Sequence, residues 1–133
     1  MSIKYSAGYK YQLEEQTGYE TGIALGVDTE TDYFKLDRVG RLTIYKGYAW
    51  DGPSGGVDSK NFLRASLIHD VLCQAIGDDL IPQRYQIIAD QLLKKIAIED
   101  GMWKVRAEWV YRAVRFHFRG GGKPEGREIL LAP

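Results

Sequence analysis

The chain of 133 residues has one cysteine, Cys73, only two histidines and four prolines. A single cysteine excludes an intramolecular disulfide, so the fold is not a disulfide scaffold. A reducing compartment and a disulfide-free extracellular role both fit. There is no net charge, because 18 Lys and Arg balance 18 Asp and Glu. That balance argues against a general nucleic-acid binder, which needs an excess of basic side chains. No stretch approaches the ~18 apolar residues of a membrane span. The opening MSIKYSAGYKYQLEE lacks the apolar run of a signal peptide. The expectation is a product of cytoplasmic synthesis with no transmembrane segment. What is present is an ordinary globular composition, and a chain of this size buries roughly two-thirds of its unfolded surface, enough for one core.

The chain changes character near residue 50. Before it, Tyr5, Tyr9, Tyr11 and Leu13 are separated mostly by polar residues, as in strands. Gly18, Gly22 and Gly26 mark turns or bulges. The strongest strand lies over 41–48, with Leu42, Ile44 and Tyr48 on one side and Thr43 and Tyr45 on the other. After residue 58 the spacing becomes helical. Asp58 or Ser59 suits an N-cap, a first helix is expected over 60–76, and Gly77 marks its end. Pro82 suits the first turn of a second helix over 82–99, with Tyr85, Ile88, Ala89, Leu92 and Ile96 buried. A third helix over 103–118 places Trp103, Ala107, Val110 and Val114 on one face. The order predicts an α+β fold, a small N-terminal antiparallel β-sheet followed by a three-helix layer. Residues 1–119 are expected to form a single domain, and the Gly-rich 120–133 a flexible C-terminal tail.

The stretch 47–74, GYAWDGPSGGVDSKNFLRASLIHDVLCQ, concentrates the chemistry. A glycine-rich loop runs into a helix that carries His69 and Asp70. At about 100° per residue, Phe62, Ala65, Leu72 and Ile76 share a face with Ser66, His69 and Cys73. Leu63, Leu67, Ile68 and Val71 cover much of the rest. A helix apolar nearly all round is central, so its histidine and carboxylate need partners. Asp90 lies near the edge of the second helix's buried stripe, and antiparallel packing would bring it to His69. A carboxylate there orients an imidazole and stabilises its charged form. Asp51 is either a turn residue or a ligand, and Asp58 a cap. Arg64 and Arg84 read as solvated charge, Cys73 as a small core residue, and His117 as a helix-terminal histidine. A purely structural His-Asp network is the competing reading of the same residues.

The pieces GYAWDGPSG, LRASLIHDVLCQ, RYQIIADQLL, EDGM and WVYRAVRFH together resemble a phage and prophage family catalogued as domain of unknown function 1353. The resemblance covers 47–118. It implies phage or prophage origin, synthesis in the cytoplasm of a bacterial host, and association with a virion or with other phage structural or lysis proteins. It brings no activity. Cys73 stands where that family's helix has a tyrosine. The glycine-rich turn, the His-Asp helix and the later Asp are also similar to the core of phospholipase A2. That similarity implies His69 as a base and Asp90 as its orienting carboxylate. It further implies a Ca²⁺ site built from Asp70 and the loop, with Asp51, Gly52 and Gly55 as ligands, and a lipid substrate. Pro53 removes one N–H donor from that loop. HD-type phosphohydrolases are excluded, because they need a further histidine upstream of the pair and His117 lies downstream. Two functional expectations follow. One is a small metal-assisted hydrolase with a His-Asp dyad. The other is a non-catalytic virion, tail or assembly component in which the His-Asp network is structural.

Overall fold

The computed structural model describes residues 5–6, 11–50 and 60–119, with side chains placed over 11–50 and 62–116. The N-terminal part is antiparallel β-structure and the C-terminal part is three helices, an α+β layout. The strands are β1 (Tyr5–Ser6), β2 (Tyr11–Leu13), β3 (Thr17–Glu20), β4 (Thr29–Glu30), β5 (Phe34–Leu36), β6 (Arg41–Ile44) and β7 (Ala49–Trp50). They form two sheets. One has the order β1-β2-β7, with Tyr11 opposite Trp50, and the other the order β3-β6-β5-β4. The chain returns to β2 through Leu13, whose N–H donates to Tyr48 O at 2.8 Å and whose carbonyl accepts from Gly47 N at 2.8 Å. Leu42 and Ile44 of β6 are buried on one side, as the alternation predicts, and oppose Leu36 and Phe34 of β5.

The helices are α1 (Lys60–Gly77), α2 (Gln86–Glu99) and α3 (Lys104–Arg119). A 3₁₀ turn, Gln83–Tyr85, follows Pro82 and leads into α2, so the α-helix proper starts later than the proline suggests. The left-handed residue after α1 is Asp79 at φ 62°, not Gly77. Short polar side chains tolerate that region better than most, and Leu80 N closes back onto Ala75 O at 2.9 Å. Gly101, at φ 105°, ends α2 as expected.

One core runs through the molecule. Leu13 and Trp50 from the first sheet, Phe34, Leu36, Leu42 and Ile44 from the second, and the helices join in a single cluster. Helix α1 is at its centre. Its apolar residues from Phe62 to Ile76 are all buried, and α2 is the helix it packs against most. Helix α3 differs from the sequence expectation. Ala107 and Val110 are buried, but Trp103 is 81% exposed. The reason is positional: Trp103 precedes the helix, and its carbonyl accepts from Ala107 N at 2.9 Å. Met102 fills the core there instead. The loop 51–59 and the tail 120–133 lie outside the described residues, so the Asp58 or Ser59 cap and the flexible tail do too. Among the described residues, no helix is long and apolar enough to cross a membrane.

Candidate functional site

The three helices meet at Asp90. Its side chain has no exposed surface. Oδ1 is 2.7 Å from His69 Nε2 on α1 and accepts from Gln86 Nε2 at 3.0 Å. Oδ2 accepts from Arg115 Nη1 on α3 at 2.7 Å. A buried carboxylate is costly unless its lone pairs are met by donors, and charged donors meet it best. Two positively charged partner types and an amide meet this one. The approach of Asp90 to His69 follows from the packing of α2 against α1.

His69 keeps 15% of its side chain exposed. Cys73, one turn further along α1, lies against the ring, with Sγ 3.5 Å from Nε2 and 3.8 Å from Nδ1. Gln86 Nε2 also donates to Cys73 Sγ at 3.3 Å. Burial works against a charged ring here, but the Cys73 sulfur and the Asp90 carboxylate outweigh it and push His69 up to about 10. Cys73 is therefore no inert core residue. It is half-buried and belongs to the group around the imidazole. Its spacing of four from His69 is the only trace of this in the sequence, and a helix puts such pairs on one face.

Asp70 points elsewhere. It is exposed, and the Tyr48 hydroxyl donates to its Oδ2 at 2.5 Å, with Gln74 Oε1 at 2.9 Å from the same hydroxyl. Burial first, then the Asp70 charge, hold the Tyr48 phenol well above its usual range. Tyr48 and Trp50 thus fasten the end of the first sheet to α1, since Trp50 Nε1 donates to Ser66 Oγ at 3.1 Å. Of the residues expected to hold calcium, Asp51, Gly52 and Gly55 lie outside the described residues. Asp70 alone of that set is placed, one residue along from His69 and bonded to a different element.

No family model, curated protein or solved structure matches the chain. What the site can do rests on its own geometry.

A second network escaped the sequence reading. Arg64 was expected to be solvated and is 5% exposed. Its Nε and Nη2 donate to Asp100 Oδ2 and Oδ1 at 3.0 and 2.9 Å, and Nη2 also donates to Glu99 Oε1 at 3.0 Å. The guanidinium lies 5.4 Å from the centre of the Tyr19 ring, and the Tyr19 hydroxyl donates to Glu99 Oε2 at 3.2 Å. The planar fork of arginine fits a carboxylate in two bonds at once, which explains why this charge can be buried. Arg115 was likewise missed as a partner of Asp90. Nothing in local sequence marks either arginine, because both partners lie in other elements.

Proposed function

We propose that this chain is a small hydrolase of phage or prophage origin, with His69 as base and Asp90 as the group that orients it. The observation that carries the reading is the 2.7 Å approach of a fully buried carboxylate to a ring that keeps part of its surface open. Nε2–H donates to Asp90. With the ring pushed up to about 10, the protonated form predominates at neutral pH, so turnover should rise as pH increases towards 10. The base is the minor neutral form, whose lone pair is on Nδ1. That nitrogen takes a proton from water as the oxygen adds to an ester carbonyl. Asp90 stabilises the imidazolium so formed, and the same proton leaves on the departing alcohol. Lipid esters are the substrate class suggested by the resemblance to phospholipase A2. Calcium belongs to the same resemblance, with Asp70, Asp51, Gly52 and Gly55 as its oxygen ligands, and when bound it would polarise the carbonyl. Asp70 is exposed and offers carboxylate oxygens, which suits that hard cation. The test is phospholipid hydrolysis by the full chain and by His69→Ala, with and without Ca²⁺. Turnover that falls by about 10²-fold or more in the variant is expected. Equal background rates in every arm would discard the reading.

A second reading has its own support. Asp90 joins α1, α2 and α3 through His69 and Arg115, which is what a purely structural network would do. Here the chain is a virion, tail or assembly component, and phage structural or lysis proteins are its partners. In that case His69→Ala lowers the unfolding free energy while no ester is turned over by either protein. Full stability of His69→Ala in urea would count against it.

A further inference from the structure

We propose that His69, Cys73 and Asp90 form a binding site for a borderline or soft divalent metal ion, of the zinc class. The proposal goes beyond the hydrolase reading and does not depend on it. Three donors of different type converge from two helices, and Nε2, Sγ and a carboxylate oxygen all lie within 4.8 Å of one another. Histidine and cysteine are four residues apart on one helix, so both side chains project over the same turn. Asp90 comes from the helix packed against it.

The spacing can be compared with what a tetrahedral ion requires. Zinc binds thiolate sulfur and imidazole nitrogen at distances that set a sulfur-to-nitrogen spacing of roughly 3.5 Å. Cys73 Sγ and His69 Nε2 are 3.5 Å apart, but the sulfur is also 3.8 Å from Nδ1 and so lies over the face of the ring. Sharing an ion with Nε2 requires the thiol to rotate towards the Nε2 edge. The nitrogen-to-oxygen spacing should be roughly 3.4 Å for the same ion. The 2.7 Å between Nε2 and Asp90 Oδ1 is that of a hydrogen bond, so the ion takes the place of the shared proton and the two atoms move apart. Charge also fits, since a thiolate and a carboxylate neutralise a divalent ion. Arg115 holds Oδ2, which leaves Oδ1 as the ligand oxygen and fixes the carboxylate's orientation. Gln86, 7% exposed, already touches both Sγ and Oδ1. Three protein ligands leave a fourth position for water or the Gln86 amide oxygen. The thiolate sets the selectivity: calcium and magnesium take oxygen ligands, whereas zinc, cobalt and copper accept sulfur and nitrogen.

A bound ion would occupy both atoms of the His69–Asp90 pair. Metal binding and hydrolysis by the dyad therefore exclude each other, and zinc should act as an inhibitor that a chelator reverses.

The test uses the full chain, stripped of metal, titrated with Co²⁺. The expected result is one equivalent bound, with a thiolate-to-cobalt charge-transfer band in the near ultraviolet and the strong visible bands of a four-coordinate ion. Cys73→Ser should abolish the charge-transfer band and weaken binding by about tenfold or more. Cys73 is half-buried and serine is close in size, so circular dichroism should report an unchanged fold. Gln86→Leu serves as a second variant outside the three ligands and should retain the charge-transfer band. Zn²⁺ should displace Co²⁺, and Ca²⁺ should not. Absence of the charge-transfer band in the wild type, or wild-type affinity in Cys73→Ser, overturns the site. A cobalt-thiolate band without ester hydrolysis supports the metal site and removes the hydrolase reading. Hydrolysis unaffected by zinc, with no band, does the reverse.

Discussion

Arg64 shows how much one side chain can hold. It spans α1, the end of α2 and the ring of Tyr19, and it is nearly sealed from water. Removing one partner of a buried ion pair leaves the others uncompensated, at a cost of about 3–5 kcal/mol when all are deeply buried. Glu99 keeps 40% of its side chain exposed and Asp100 14%, so both carboxylates can regain some water. Arg64→Ala should therefore cost about 2–4 kcal/mol in urea unfolding. Arg64→Lys should recover only part of that, because an ammonium cannot make the two-pronged contact with Asp100. Equal stability of wild type and Arg64→Ala would place this network at the solvated surface, where the residue type alone had suggested it belonged. Tyr19 gives a second prediction at this scale. Burial, then the Glu99 carboxylate, push its phenol up to about 12. A raised phenol pKa means the folded state holds its proton more tightly than the unfolded chain. The stabilisation is complete below pH 10 and is lost as pH rises towards about 12. Tyrosinate absorbance should thus show a late-titrating phenol, and Glu99→Gln should bring that titration down.

At the scale of elements, the β-turns and helix ends set what can be substituted. Gly40 has φ 104°, and a Cβ there would sit 3.1 Å from the backbone nitrogens of Gly22 and Ile23. Its carbonyl accepts from Thr21 N at 2.9 Å and from Thr21 Oγ1 at 2.7 Å, so the turn before β6 is clamped to the end of β3. Gly40→Ala should destabilise by more than about 1 kcal/mol. Gly22→Ala should cost less, since it also has positive φ but open space around the added carbon. Thermal melts of the two variants check the order. The elements were largely legible beforehand. Period-two alternation over 41–48 and helical spacing after residue 60 place β6 and all three helices within about four residues of where they lie, although β6 ends at Ile44 and Tyr48 lies beyond it. Legibility failed at Trp103, where periodicity extended a helix face past the helix start; α1 does end at Gly77 as expected, and the left-handed turn falls two residues later at Asp79.

The whole molecule turns on Asp90. It receives one helix through His69 and another through Arg115, and neither bond is to a neighbour in sequence. Asp90→Asn keeps the shape but removes the charge both cations face. The expected loss is about 3–5 kcal/mol in denaturant unfolding, together with weaker protection of α3 amides from exchange. A loss below about 1 kcal/mol would mean that packing alone holds the three helices together. The sequence by itself determined the order of strands and helices and the burial of α1, and it offered Asp90 as a partner for His69, a pairing that the packing of α2 on α1 then made. These follow from local periodicity and from the need of a buried polar group for a partner. Only the tertiary structure decided which other groups join that pair. Cys73, Gln86 and Arg115 gather around it, and Arg64 finds Asp100, because side chains from separate elements converge where no local pattern records their meeting.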